Sequence, residues 1–177
     1  MAHPGSAGPA GVLTERMSLR RPLLSDADAV LRIHSDRLAC EHNPGDMIFS
    51  RTEAVVRCRA WIAHWERHSF GYRVLRRRDS EHVIGFCGVK LMRLPGHGLT
   101  VLNLFYRLEP AAWGFGLAGE AAVAVVGSVA GQPYPVIARV RPGNVASARV
   151  AARAGLSRAE HLDTAGEDGI DWVWASY

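Results

Sequence analysis

The stretch that most limits how this chain can fold begins with a strand pattern, Thr100 to Leu108. Glu109-Pro110-Ala111-Ala112-Trp113 follows, then three glycines, Gly114, Gly116 and Gly119, then an alanine- and valine-rich run from Ala118 to Ala130. A helix that opens on small residues has unpaired backbone N–H groups and a partial positive charge at its start, so it suits a polyphosphate. Gly114-Phe115-Gly116-Leu117-Ala118-Gly119 also spells the dinucleotide fingerprint. That fingerprint needs its first glycine at the strand end and an acid about twenty residues on. Here Glu109 to Trp113 intervene and the downstream region holds Arg139 and Arg141, so the context is wrong. No Gly-Lys-Ser/Thr follows, which excludes an ATP-type P-loop. Two readings stay open: a glycine-rich turn before a buried helix, or an anion cradle.

The flanking sequence supplies the remaining elements. Leu19 to Leu23 reads as a short edge strand ended by proline. Ser25 is placed to cap a helix with Asp26 and Asp28 in its first turn and Val30, Ile33 and Leu38 on its apolar side. Asn43-Pro44-Gly45 breaks it. A second helix spans Arg51 or Thr52 to about Arg67, with Val55, Cys58, Ile62 and Trp65 on one face. Gly71–Leu75 and Val83–Val89 form a hairpin across a charged turn, and Pro95-Gly96-His97-Gly98 turns into the Thr100 strand. A strand from Val136 to Val140, a small helix from Val145 to Ala154, and strands near Arg158–Leu162 and Ile170–Ser176 complete the chain. Strand and helix do not alternate, so a purely parallel sheet is disfavoured. The expected class is α/β (α+β): one domain over residues 17–177, with a mixed, mostly antiparallel sheet of about seven strands and helices on both faces. Residues 1–16, rich in Gly, Pro and Ala, are expected to be a loose tail.

Composition narrows the function. At 177 residues, 48% apolar and 21% charged, the chain can bury one ordinary core. No apolar run is long enough for a membrane span, and no secretory signal is evident at the start. Cys40, Cys58 and Cys87, odd in number and widely spaced, suit reduced, buried thiols of a cytoplasmic protein. The histidines show no ligand spacing with the cysteines, so no metal is expected. Net charge is +4, almost all of the cations are arginine, and Lys90 is the only lysine. Arg76-Arg77-Arg78 is followed by Asp79 and Glu81, a solvated turn rather than the long basic face that nucleic acid requires.

A second segment, Arg141-Pro142-Gly143-Asn144-Val145-Ala146-Ser147-Ala148-Arg149-Val150-Ala151-Ala152-Arg153-Ala154-Gly155-Leu156, lies one strand after the glycine turn. Asn144 reads as an N-cap and Gly155 as a helix stop. Together with Tyr106 to Ala121 it resembles the cofactor motifs of the GNAT acetyltransferases, and among them the Rim-type branch related to ribosomal-protein N-terminal acetyltransferases. The resemblance covers Leu19 to the C-terminus in element order and is specific over Tyr106–Ala121 and Arg141–Leu156. It implies a GNAT fold, acetyl-CoA as acyl donor, and transfer to a primary amine by direct attack on the thioester. Amides at Gly114, Gly116, Leu117, Ala118 and Gly119, after the family's tryptophan-glycine at Trp113, would cradle the coenzyme A pyrophosphate. Main-chain groups of Tyr106 and Leu108 would pair with the pantetheine arm, which requires the Thr100 and Val136 strands to splay. Asn144 would bind the arm, Ser147 would lie near the thioester, and Arg153 would meet a phosphate. The implied partners are an amine, either a small molecule or a protein N-terminus, and a second copy of the chain in a homodimer; neither nucleic acid nor membrane is among them.

The sequence departs from the family at two catalytic positions. Rim-type relatives often carry a glutamate three residues before the strand tyrosine, where this chain has Asn103, whose amide can orient a water but cannot take its proton. Others carry a tyrosine seven residues after the motif asparagine, where this chain has Ala151. Ser147 remains as the hydrogen-bond donor to the leaving thiolate, and His34, Glu41, His42 and Asp46 remain as candidate bases. Asn103 and Ala151 also keep open a non-catalytic acyl-CoA binding or sensing domain, and the basic charge a nucleic-acid-binding module. Trp61, Trp65, Trp172 and Trp174 are read mainly as packing residues.

Overall fold

A computed structural model of the chain describes residues 11–166 and 169–176. Its strands are β1 (Val12–Leu13), β2 (Met17–Arg20), β3 (Tyr72–Arg77), β4 (Val83–Arg93), β5 (Thr100–Leu108), β6 (Val136–Val140), β7 (Ser157–Arg158), β8 (Thr164–Gly166) and β9 (Gly169–Ala175). Its helices are α1 (Ala27–His34), α2 (Arg51–His68), α3 (Leu117–Ser128) and α4 (Val145–Arg153). The sheet runs β1-β2-β3-β4-β5-β6-β9-β7, with β8 paired to β9 off that path. Among the described residues every pairing is antiparallel except β5 with β6.

The period-2 alternation of the strands separates two cores. Leu75, Cys87, Leu102 and Leu104 turn to one face, where they pack with Leu117, Ala121 and Val125 of α3 and Ala151 of α4. Val74 and Phe86 turn to the other, against Ala27, Val30 and Ile33 of α1 and Ala54 and Cys58 of α2. The expected mixed sheet with helices on both faces is therefore present. A third cluster, including Val101, Ile137 and Val173, fills the far end of the sheet. All three cysteines are buried and unbridged, and burial pushes the Cys58 thiol up to about 11.

Helix α2 starts where its sequence provides a reciprocal cap. Ser50 Oγ accepts the Glu53 N–H at 3.2 Å, and the Glu53 carboxylate accepts from Ser50 Oγ at 2.7 Å. Helix α1 differs from expectation. A 3-10 turn, Leu24–Asp26, precedes it, so Ser25 lies inside that turn and does not cap the helix. The helix ends at His34, well before Asn43-Pro44-Gly45, and Leu38 is 53% exposed in the loop beyond. Other differences lie at the ends of the sheet. Residues 12–13, assigned to the loose tail, form β1 against β2, so β2 is not an edge strand; residues 1–10 lie outside the described residues. Arg158–Leu162 divides into the two-residue β7 and a 3-10 turn, while β8 adds a strand that its short, unpatterned sequence does not announce. Among the described residues no helix is long and apolar enough to cross a membrane.

Candidate functional site

The site begins as a gap in the sheet. Strands β5 and β6 pair only at Leu102↔Val136 and Asn103↔Ile137, then diverge. Leu102 N–H donates across this seam to Pro135 O at 2.9 Å, while Glu109 N–H donates the opposite way, to Ile84 O. Backbone direction alternates along a strand, so Leu104, Tyr106 and Leu108 point their N–H and C=O groups into the gap. Trp113 Nε1–H donates to the Leu108 carbonyl at 2.9 Å, leaving that oxygen one further lone pair. The Leu104 carbonyl and both main-chain groups of Tyr106 lie beyond the last β5–β6 pair and face the gap.

The gap leads to the start of α3. Gly114 and Gly116 adopt φ of 82° and 74°, left-handed values that cost other residues strain, and Gly116 is the N-cap without a side-chain cap bond. A Cβ on Gly116 would sit 3.1 Å from Arg153 Nη1, and one on Gly119 would sit 2.7 Å from Arg153 Cδ. The Arg153 side chain therefore lies over the uncapped helix start. Arg16 closes the other side: its guanidinium donates to Phe115 O at 2.7 Å and to Glu120 at 2.7 Å, and its own N–H donates to the same carboxylate. Backbone amides, a helix terminus and the Arg153 guanidinium fit a diphosphate in charge and shape, with Arg16 neutralised by Glu120 beside them.

Between these parts, α4 crosses the gap. Asn144 Oδ1 accepts the Ser147 N–H at 2.9 Å, the capping role expected from local sequence, and its side-chain NH2 is left for other acceptors. Tyr106 donates from its hydroxyl to Ser147 O at 2.9 Å and also meets Ser147 Oγ in a short hydrogen bond. Burial raises the Tyr106 phenol to about 12, so it stays protonated near neutrality. These residues line a cleft of about 770 Å3.

A second cleft of about 650 Å3 opens on the α1–α2 face and shares Asn43, Asp46, Lys90, Asn103, Phe105 and Arg139 with the first. Asp46 organises its wall, accepting from buried Arg107 at 2.6 Å and lying 3.0 Å from Arg57. Asn103 Oδ1 is buried and has no hydrogen-bond partner. His34 is fully buried against Trp61, Phe86 and Phe105. Burial, reinforced by Arg107 and Arg57, lowers its pKa to about 3. His34 is therefore neutral and too weak a base at neutral pH, while Glu41 and His42 line the first cleft as exposed groups. The folded pKa lies below the unfolded value, so between about 6.5 and 3 the unfolded chain holds the extra proton and stability falls with pH. Going from pH 7 to 5 is expected to cost about 2 kcal/mol at this group, at about 1.36 kcal/mol per unit below 6.5. Denaturant titrations at the two pH values check this; an unchanged pH slope in His34→Phe would show that His34 is not the source.

Residues 16–157 match the sequence model of the Acetyltransferase (GNAT) domain family. The chain belongs to the GNAT acetyltransferase family. The sequence matches no curated protein. Solved structures with the same fold include an acetyltransferase from Agrobacterium tumefaciens str. C58, 21% identical over 100% of this chain and 99% of that one, TM-score 0.79. The ribosomal L7/L12 alpha-N-protein acetyltransferase RimL, in complex with coenzyme A, is 14% identical over 93% and 96%, TM-score 0.76. A GNAT superfamily phosphinothricin acetyltransferase from Sinorhizobium meliloti, in complex with acetyl-CoA, is 15% identical over 90% and 87%, TM-score 0.70.

In this GNAT domain the residues singled out from sequence fall into one place. Asn103, Tyr106, Leu108, Trp113, Gly114, Gly116, Leu117, Ala118, Gly119, Asn144 and Ser147 all line the first cleft. Arg153 lies just beyond its lining, over the glycines. Sequence reasoning missed Arg16, which it left in the tail, and the hydroxyl of Tyr106, which it credited only with main-chain contacts. A cation beside a glycine cradle is recognisable only when both ends are seen, since Arg16 and Glu120 are 104 residues apart.

Proposed function

We propose that this GNAT chain is an acetyl-CoA-dependent N-acetyltransferase that modifies a primary amine, with Rim-type features in its tryptophan-glycine loop and its Asn144–Ser147 spacing. The carrying observation is a row of unpaired β5 backbone groups that runs into a glycine-rich helix start overlaid by Arg153. When bound, acetyl-CoA supplies the acyl group as a thioester. The Leu104 carbonyl, the Tyr106 main-chain groups and the Asn144 side-chain NH2 hold the extended arm, while the α3 amides with Arg153 hold the diphosphate and Arg16, paired with Glu120, braces the loop. Ser147 Oγ gives its proton toward the leaving sulfur, and Tyr106, kept protonated by burial, turns its one O–H from the Ser147 carbonyl to Oγ to replace it. Asn103 stands in the wall shared by both clefts, and its buried, unpartnered Oδ1 turns outward to accept an N–H of the incoming amine and orient its lone pair.

An α-amine, with a pKa of about 7.7–8.0, needs little help to arrive neutral, whereas a lysine-like amine at about 10.4 needs a base. With Asn103 in place of a carboxylate, amines of the first kind are favoured. The test is release of free thiol from acetyl-CoA over a panel of amines. Ser147→Ala and Tyr106→Phe are each expected to lower kcat by about 10–100-fold, in line with a lost proton donor, while the thermal shift given by acetyl-CoA persists. Unchanged kcat in both variants would remove the hydroxyl pair from the mechanism. Binding without turnover on any amine would favour the acyl-CoA sensor instead.

A further inference from the structure

We propose that the amine acceptor carries an anionic group, a carboxylate or phosphate, a few bonds from its nitrogen. This rests on the N-acetyltransferase reading and names the substrate class for the same site. The charges around the second cleft motivate it. Arg57 and Arg107 are both committed to Asp46, and buried His34 is neutral. Glu53 lies at the exposed start of α2, where Ser50 Oγ and the Phe49 N–H already engage its carboxylate. Cations outnumber anions at the junction of the clefts: Lys90 has no ion pair among the described residues, and Arg139 shares the one Asp171 carboxylate with Arg141. The Lys90 side chain forms no ion pair or hydrogen bond among the described residues. Arg139 Nε is buried without a hydrogen-bond partner, 3.6 Å from an Asp171 carboxylate that also faces Arg141 at 3.4 Å.

The sheet brings these groups together with the unpartnered acceptor. Lys90 and Asn103 are direct cross-strand partners on β4 and β5, so their side chains rise side by side on one face. Arg139 lies two residues beyond Ile137, the β6 partner of Asn103, and so on that same face. The junction thus presents one acceptor, Asn103 Oδ1, and two cationic donors, Lys90 Nζ and Arg139 Nε. A molecule with an amine N–H for the first and an anion for the others satisfies all three; a neutral alkylamine leaves a buried guanidinium nitrogen without an acceptor. The same cations disfavour a protonated amine nearby, which supplies the neutral nucleophile where Asp46 and Asp171 are already held by arginines.

The experiment uses the full chain with saturating acetyl-CoA and follows thiol release, with rates referred to the neutral fraction of each amine. Probe pairs are glycine and glycinamide, β-alanine and β-alaninamide, phosphoethanolamine and ethanolamine, and a tripeptide with acidic or neutral second residue. At least one small anionic amine is expected to exceed its neutral partner about tenfold or more in kcat/KM. Lys90→Met, at an exposed position, is expected to cut that preference to about threefold or less, mainly through KM, with the acetyl-CoA thermal shift unchanged. Neutral members that equal or exceed their partners in every pair, a preference confined to the peptides, or one untouched by Lys90→Met overturns the proposal. If no probe is turned over, an added thermal shift of the acetyl-CoA-loaded protein by an anionic probe supports it, and the absence of any such shift overturns it. Failure of acetyl-CoA itself to stabilise the chain removes the acetyltransferase reading and this proposal together, an outcome distinct from cofactor binding without charge preference.

Discussion

Gly116→Leu is expected to abolish the stabilisation that acetyl-CoA gives the protein. A ligand at a hundred times its Kd adds about 2.7 kcal/mol, and each kcal/mol moves the midpoint about 2–4 °C in a chain of this size, so the unsubstituted protein gains about 5–10 °C. Two things go wrong in the variant. At φ 74° a side chain costs about 1–2 kcal/mol, which lowers the ligand-free Tm by about 2–8 °C. The new branch also starts 3.1 Å from Arg153 Nη1 and 3.8 Å from Arg16 Nη2, filling the space toward which both guanidiniums and the α3 amides converge. Gly127→Ala is the control. A Cβ there meets nothing within 4 Å, and the change favours the helix by up to about 1 kcal/mol, so the acetyl-CoA increment persists. A folded Gly116→Leu protein that still gains 5–10 °C would show that the diphosphate sits elsewhere.

Asp26→Ala is expected to lower Tm by about 6–12 °C, the equivalent of about 3 kcal/mol. Asp26 is 4% exposed and accepts from Arg20 Nη1 at 2.8 Å, Arg20 Nη2 at 2.5 Å and the Leu23 N–H at 2.7 Å. Its carboxylate raises the pKa of the Arg20 guanidinium and locks the end of β2 to the start of α1 across Pro22. Alanine leaves a half-buried cation and a backbone donor without their acceptor, a loss much larger than that of an exposed ion pair. Asp26→Asn keeps one acceptor and should fall between. A Tm within 2 °C of the parent for Asp26→Ala would mean that solvent replaces the pair at little cost.

Asp26 also marks where local sequence stops being informative. Its position argues for helix-dipole stabilisation of about 0.3–1 kcal/mol, yet the side chain turns inward to an arginine on the preceding strand. Strands β5 and β6 run as their apolar patterns indicate, Thr100–Leu108 and Val136–Val140, because an alternating or fully apolar run bounded by turns has few other ways to be buried. The glycine cradle was legible for a similar reason: a left-handed backbone selects glycine at the residue itself. Long-range charge was not. Asp46 meets Arg107 from 61 residues away, and nothing in either neighbourhood names the other. Trp113 likewise reads as a motif residue, and nothing in its own sequence neighbourhood shows that its indole N–H donates to the Leu108 carbonyl on β5.

The short contact between β5 and β6 sets stability against activity at one seam. Any substitution that let those strands zip further would complete a ladder, raise the melting point of the ligand-free chain and, in the same stroke, erase the berth proposed for the acyl carrier. Selection for a tougher apo protein and selection for turnover therefore pull in opposite directions there. An engineer seeking thermostability should leave Leu104 to Leu108 and Ala138 to Val140 alone and spend substitutions on the β1 and β7 margins.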